Sequence, residues 1–128
     1  MVQKRKGNRG FFIWDKSASH DFISVAHSCG YEVRPILPRD YEQKDPYIAE
    51  RYCKGHYMIC TGDKTAYKEM YFKGGAVGVI VFDAYVPGEL KQHQSTFKGF
   101  LKDQTIKKMR DKVHFIGKNK VMSLKLNK

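Results

Sequence analysis

The stretch Phe11-Phe12-Ile13-Trp14-Asp15 is a continuous apolar run that ends in a carboxylate. Continuous apolarity is typical of a strand in a parallel sheet, because helices cover both faces of such a sheet. The same pattern recurs at residues 57–63 and 77–83, where apolar runs lead to Asp63 and Asp83. These three runs therefore predict parallel strands whose carboxyl ends each carry an aspartate.

The first strand leads into a predicted helix and then a second strand. Residues 22–29 carry apolar side chains at helical spacing, and Gly30 predicts the end of that helix. The run 31–36 predicts the second strand, and Pro35 favours a position near a sheet edge, because proline cannot donate to the ladder.

A second crossover helix is predicted to begin at Asp45. Aspartate is a good N-cap, and proline, here Pro46, is favoured at the first helical position. Residues 64–72 predict another short helix before the strand at 77–82. Strands that alternate with helices indicate βαβ units, and so an α/β fold with a central, mainly parallel sheet flanked by helices.

The C-terminal third has a different pattern. Residues 95–112 predict a partly helical segment, and residues 113–116 and 120–126 flank Gly117-Lys118-Asn119. This predicts a hairpin, or a final strand and its return. We expect a basic N-terminal extension at 1–9, an α/β core at 10–90 and a basic C-terminal extension at 91–128 packed on the core.

Composition indicates a folded, single-domain protein. The chain has 128 residues, of which 41% are hydrophobic, enough for a core without disulfides. No apolar run approaches the roughly 20 residues of a membrane helix, and no signal peptide is predicted. Cys29, Cys53 and Cys60 are odd in number and lie in apolar patterns, which favours reduced core thiols and a cytoplasmic protein.

Positive charge is concentrated at the two ends of the chain. The net charge is +11, and residues 98–128 carry ten Lys or Arg against two aspartates. Segregated charge of this kind favours binding to a nucleic-acid backbone, with solubility as the alternative interpretation. The candidate contacts are Lys4, Arg5, Lys6, Arg9, Lys107, Lys108, Arg110 and Lys112.

The aspartates are the candidate site. Open α/β sheets bind ligands outside the carboxyl ends of their strands, where carboxylates repel one another unless a cation joins them. Oxygen ligands suit Mg²⁺ or Mn²⁺. The predicted metal ligands are Asp15, Asp45, Asp63 and Asp83. Simple capping or turn roles stay open for Asp45, Asp63 and Asp83.

Several motifs resemble those of PIN-like domains. Asp15-Lys16-Ser17 after an apolar strand resembles the opening PIN motif, an aspartate followed by a small hydroxyl residue. The helix start at Asp45 and the later Thr61-Gly62-Asp63 resemble the second half of the domain, with its Thr-x-Asp signature. The resemblance covers about residues 11–83 and is closest to the compact PIN-like proteins.

The resemblance implies a three-layer fold and a metal-dependent ribonuclease. It makes Asp15, Asp45 and Asp63 the catalytic, metal-binding acids, with Ser17 and Thr61 supporting the site. It also implies a possible toxin role, with an antitoxin protein as partner, and allows an oligomer. The glutamate that larger PIN domains carry between the first two aspartates has no equivalent here.

We therefore predict a Mg²⁺- or Mn²⁺-dependent endonuclease, a phosphodiesterase that acts on RNA in preference to DNA. A non-catalytic nucleic-acid-binding protein on a degenerate PIN-like scaffold is the first alternative, because the acid set is reduced. The second is a phosphatase-like or receiver-like enzyme with an aspartate nucleophile, which leaves the basic ends without a role.

Overall fold

A computed structural model describes residues 9–36, 57–72 and 76–126 of the chain. Asp45 and its predicted helix, Cys53, and the basic residues Lys4, Arg5 and Lys6 lie outside these ranges. The strands are β1 (Phe11–Trp14), β2 (Glu32–Pro35), β3 (Met58–Thr61), β4 (Gly78–Phe82), β5 (Lys112–Ile116) and β6 (Val121–Lys125). The helices are α1 (Ile23–Ser28), α2 (Tyr67–Phe72), α3 (Leu90–Lys102) and α4 (Ile106–Met109).

The strands form one six-stranded sheet in the order β2-β1-β3-β4-β5-β6. The first five strands are parallel, and β6 returns antiparallel to β5 as a hairpin. The prediction of an α/β fold with a mainly parallel sheet is confirmed. Pro35 ends β2 at one edge of the sheet. At this position the missing N–H of proline costs the sheet no hydrogen bond.

Alternating side chains of the inner strands β1, β3, β4 and β5 pack into two separate cores, one on each face of the sheet. Phe12 and Trp14 face the larger core, which contains side chains of α1, α3 and α4, whereas Ile13 faces the smaller core with Tyr71 of α2. Both faces of the sheet are therefore covered at its centre, which explains why β1 and β4 are apolar throughout.

A capped 3₁₀ turn precedes the first helix. Ser19 is the N-cap of a 3₁₀ turn, His20–Phe22, and its side chain accepts a hydrogen bond from the backbone N–H of Asp21. The turn continues into α1, and Gly30 follows with a φ of 92°. This left-handed conformation favours glycine and ends the helix.

The C-terminal segment packs on the core and also supplies two strands of the sheet. Helix α3 begins at Leu90, before the predicted start at residue 95, because Pro87 lies in a 3₁₀ turn that leads directly into it. Helices α3 and α4 then connect β4 to its parallel neighbour β5.

Strand β6 forms the other edge of the sheet and is largely exposed. The relative exposures of Met122 and Leu124 on this strand are 54% and 47%. Among the residues that the structure describes, no helix is both long and apolar enough to cross a lipid bilayer.

Candidate active site

The strand order places a crevice between β1 and β3. The chain leaves β1 to form β2 on one side and leaves β3 to form β4 on the other. Connections that diverge in this way open a gap at the carboxyl ends of the two strands, which is the usual ligand position in doubly wound sheets. Asp15 directly follows β1, and Thr61 is the last residue of β3.

Two hydroxyl groups orient the Asp15 carboxylate in this crevice. The side chain of Ser17 donates a hydrogen bond to Oδ2 of Asp15 at 2.5 Å, and Thr61 donates to the same oxygen at 3.0 Å. Only 8% of Asp15 is exposed, and a carboxylate this buried needs partners. The structure thus brings together three of the sequence-predicted residues: Asp15, Ser17 and Thr61.

Backbone N–H groups hold the two hydroxyls in turn. Gly62 donates to Oγ of Ser17 at 2.9 Å, and Asp63 donates to Oγ1 of Thr61 at 3.1 Å. Each hydroxyl therefore accepts from the backbone and points its own hydrogen at Asp15. The tight approach requires glycine, since a Cβ on Gly62 would lie 2.3 Å from the carbonyl oxygen of Ser17.

The second carboxylate oxygen of Asp15 has a different environment. Within the described ranges, Oδ1 of Asp15 accepts no hydrogen bond, and this atom is not fully buried. One oxygen of Asp15 is thus fixed by the protein while the other is open to the crevice. This arrangement suits a carboxylate that binds a cation or a polar ligand.

Asp63 follows β3 and forms a turn. Its Oδ1 accepts hydrogen bonds from the backbone N–H and the hydroxyl of Thr65, at 2.9 and 2.8 Å. These bonds favour the ionised form and lower the pKa of Asp63. The turn role left open by the sequence is therefore observed. Asp63 stays ionised near the site, and its Oδ2 takes no part in these bonds.

Asp83 occupies the corresponding position after β4. Its Oδ1 lies 3.5 Å from Nζ of Lys64, and its backbone N–H donates to the carbonyl of Ile116. The ion pair connects the ends of β3 and β4, because Lys64 directly follows Asp63. Asp15, Asp63 and Asp83 thus follow neighbouring strands on one edge of the sheet, as predicted.

A further polar cluster on this edge was not predicted from the sequence. The hydroxyl of Tyr85 donates to Oδ2 of Asp21 at 2.7 Å and lies 2.9 Å from Oγ of Ser19. Its only sequence signal is that Ser19 and Tyr85 each lie within four residues of a strand-end aspartate. This cluster links the segments that follow β1 and β4.

The basic residues lie elsewhere. Arg9 donates hydrogen bonds to the carbonyls of Cys29 and Gln104, and its guanidinium lies 5.1 Å from the ring centre of Tyr31. Four other predicted contacts lie in or beside α4 and at the amino end of β5, whereas Asp15 lies at the carboxyl ends of the strands: Lys107, Lys108, Arg110 and Lys112.

Asp15, Ser17 and Thr61 present oxygen atoms at the crevice, and oxygen atoms are the ligands that Mg²⁺ and Mn²⁺ prefer. In the described part of the chain, no three His, Cys, Asp or Glu side chains form a group that could hold a metal. Asp45, the fourth acid of the predicted set, is outside that part. Cys29 and Cys60 are buried free thiols of the core.

Comparison with known proteins identifies no family for this chain. No protein-family model matches the chain, and no curated protein or solved structure matches it.

Proposed function

We propose that this chain is a metal-dependent endonuclease of PIN-like type that cleaves RNA. The observation that supports the proposal most is the buried carboxylate of Asp15, held by two hydroxyls in the crevice between β1 and β3 with one oxygen open. Such an oriented carboxylate serves as a fixed ligand, because its rotation is already restricted before anything binds.

The proposed site consists of the predicted acids, three of which follow the neighbouring strands β1, β3 and β4. Asp15 supplies its open Oδ1, Asp63 and Asp83 supply carboxylates farther along the same edge, and Asp45 completes the set. Ser17 and Thr61 position Asp15. When bound, Mg²⁺ or Mn²⁺ acidifies a water molecule and offsets negative charge on the phosphate.

The most direct test replaces the buried carboxylate with its neutral amide. Asp15→Asn keeps the side-chain volume but removes the charge, so we expect it to abolish the thermal stabilisation by Mn²⁺. Loss of a few kcal/mol of transition-state stabilisation lowers the cleavage rate about 10²- to 10³-fold. The measurements are a melting curve with and without Mn²⁺, and cleavage of a labelled single-stranded RNA.

The matched control is Asp103→Asn, which removes an exposed aspartate at the far end of α3. It should melt, respond to Mn²⁺ and cleave as the parent does. Cleavage by Asp15→Asn at the parental rate would remove Asp15 from the mechanism. A parent that binds RNA but cleaves none with either metal would favour the non-catalytic binding protein, and a phosphoryl group captured on Asp15 would favour the aspartate-nucleophile enzymes.

A further inference from the structure

A groove lies beside the proposed site, between the end of β4 and the turn that joins β5 to β6. Its volume is about 490 Å³, within the range typical of small-molecule sites. The side chains that matter for its chemistry are Lys64, Asp83, Phe115, Lys118, Lys120 and Met122.

The groove is positively charged. It is lined by three lysines and one aspartate. Lys64 pairs with Asp83 at 3.5 Å and Lys118 with Glu89 at 3.0 Å, but these side chains are 33–63% exposed. Exposed pairs are weak and readily exchange partners. Lys120 is exposed and forms no ion pair with the described residues, so two ammonium groups of the turn can reach an anion.

The wall formed by the hairpin is apolar. Phe115 is half-buried and is anchored by an edge contact with Tyr67, with ring centres 5.8 Å apart. Met122 pairs with Phe115 across the two strands and is 54% exposed. Proteins that bind single-stranded nucleic acids combine aromatic rings with cations, because a base stacks on the ring and the cations bind the phosphates.

The groove and the proposed site share residues. Asp83 belongs to the predicted acid set and also lines the groove, while Lys64 follows Asp63 directly and pairs with Asp83. A single-stranded RNA with one phosphate at the crevice can therefore continue along the carboxyl ends of the β-strands into the groove.

We infer that this groove binds a nucleotide of the same single-stranded RNA whose phosphate lies at Asp15. The base lies against Phe115 and Met122, and the phosphate lies near Lys118 and Lys120. This inference rests on the proposed function for its orientation relative to Asp15, although binding in the groove needs no metal and no cleavage.

The test is equilibrium binding of a fluorescein-labelled single-stranded RNA in EDTA at several salt concentrations. The double variant Lys118→Gln/Lys120→Gln should bind more weakly, and its log–log salt slope should be smaller by about 1.4, since each phosphate contact contributes about 0.7. The matched control is Lys98→Gln/Lys102→Gln on the exposed face of α3, which should keep the parental slope. Equal slopes for the parent and the Lys118/Lys120 variant would overturn the inference.

The base contact is tested separately with Phe115→Leu. Leucine keeps an apolar side chain against Tyr67 but removes the stacking surface, so affinity should fall about tenfold with the salt slope unchanged. Met122→Ser, at a more exposed position, should lower affinity in the same way. It serves as the test if the Phe115→Leu variant does not fold. Parental affinity in both variants, or equal affinity of the parent for duplex RNA, would overturn the base contact.

The two proposals fail in distinguishable ways. If the parent cleaves RNA and the groove variants bind as the parent does, the nuclease proposal stands and the groove inference fails. If the groove variants lose RNA affinity while the parent cleaves nothing with Mg²⁺ or Mn²⁺, the groove inference stands and the nuclease proposal fails.

Discussion

At Gly62, the absence of a side chain allows two strand exits to meet. The backbone N–H of Gly62 donates to Oγ of Ser17, and the space where a Cβ would lie is filled by the carbonyl of Ser17. The position of Ser17, and through it the orientation of Asp15, therefore depends on a close backbone contact that only glycine permits.

We predict that Gly62→Ala destabilises the protein by about 1–3 kcal/mol, because backbone must move to relieve the contact. Metal-dependent stabilisation should fall as well, since Ser17 moves. The control is Gly99→Ala on α3, where a Cβ would meet nothing within 4 Å. That change should raise stability by about 0.5–1 kcal/mol through helix propensity. Urea unfolding measures both, and a neutral Gly62→Ala would show that the contact relaxes without cost.

The sequence predicted part of this residue-scale arrangement. Asp15, Ser17 and Thr61 were identified because they follow apolar runs and match a motif. Their hydrogen-bond pattern was not, since it depends on the separation of two strands that are 46 residues apart in the chain. The Tyr85 contact with Asp21 was missed for the same reason, and side chains that meet across strand exits leave no local pattern in the sequence.

Among the elements, the hairpin of β5 and β6 contains a buried histidine. The ring of His114 lies 2.7 Å from Oγ of Ser123 on β6 and 3.2 Å from the carbonyl of Met109 on α4. The pKa of His114 is lowered from 6.5 to about 4, chiefly by burial and also by the nearby charge of Lys112, although the hydrogen bond to the Met109 carbonyl raises it. The native hairpin therefore prefers a neutral ring.

We predict that acid weakens this hairpin. The unfolded chain takes up a proton on His114 near pH 6.5, whereas the native chain does so near pH 4. The associated stability is present above pH 6.5 and decreases by about 3 kcal/mol as the pH falls to about 4. Urea unfolding at pH 7, 5.5 and 4.5 should show a smaller decrease for His114→Gln than for the parent. The exposed variant His20→Gln should behave as the parent, and identical decreases in all three proteins would exclude the effect.

The elements themselves were predicted more accurately than their boundaries. Apolar runs identified β1, β3 and β4 because buried parallel strands have no polar face. The start of α3 was predicted too late in the chain because Pro87-Gly88 resembles a turn between elements. In the structure, Pro87 instead initiates the 3₁₀ turn that leads into α3. Proline is compatible with both interpretations, and only packing distinguishes them.

At the scale of the whole molecule, positive charge is present at both edges of the sheet. Lys118 and Lys120 lie at the carboxyl edge, while the cations of residues 107–112 lie at the amino end of β5. A bound strand that reaches both regions would contact phosphates that are distant from Asp15. Such contacts contribute affinity without sequence preference.

We predict that replacing Lys107, Lys108, Arg110 and Lys112 with glutamine reduces the salt slope of RNA binding by about 0.7 for each phosphate that the variant no longer binds. Stabilisation by Mn²⁺ should be unchanged, because these residues lie across the sheet from the aspartates. The measurement is a salt titration of binding together with a melting curve. An unchanged slope would assign the four residues a role in solubility.

The strand order could not be read from the sequence. Apolar runs indicate that strands exist and are buried, but β1 pairs with both β2 and β3, and neither pairing leaves a local signal. The order is decided by which crossovers bury the two faces of the sheet. The position of the crevice follows from that order, so the site could be expected at the carboxyl edge but not located between particular strands.

Strand β6 also affects how copies of this protein behave together. No strand among the described residues pairs with its outer edge, where Met122 and Leu124 are exposed, and Lys120 and Lys125 lie at its ends. Lysines on such an edge repel a second identical edge and so oppose strand pairing between molecules. Salt shortens the range of this repulsion from about 10 Å at 0.1 M to about 3 Å at 1 M. Concentrated salt, which removes nucleic acid from a basic protein, therefore also weakens its protection against self-association.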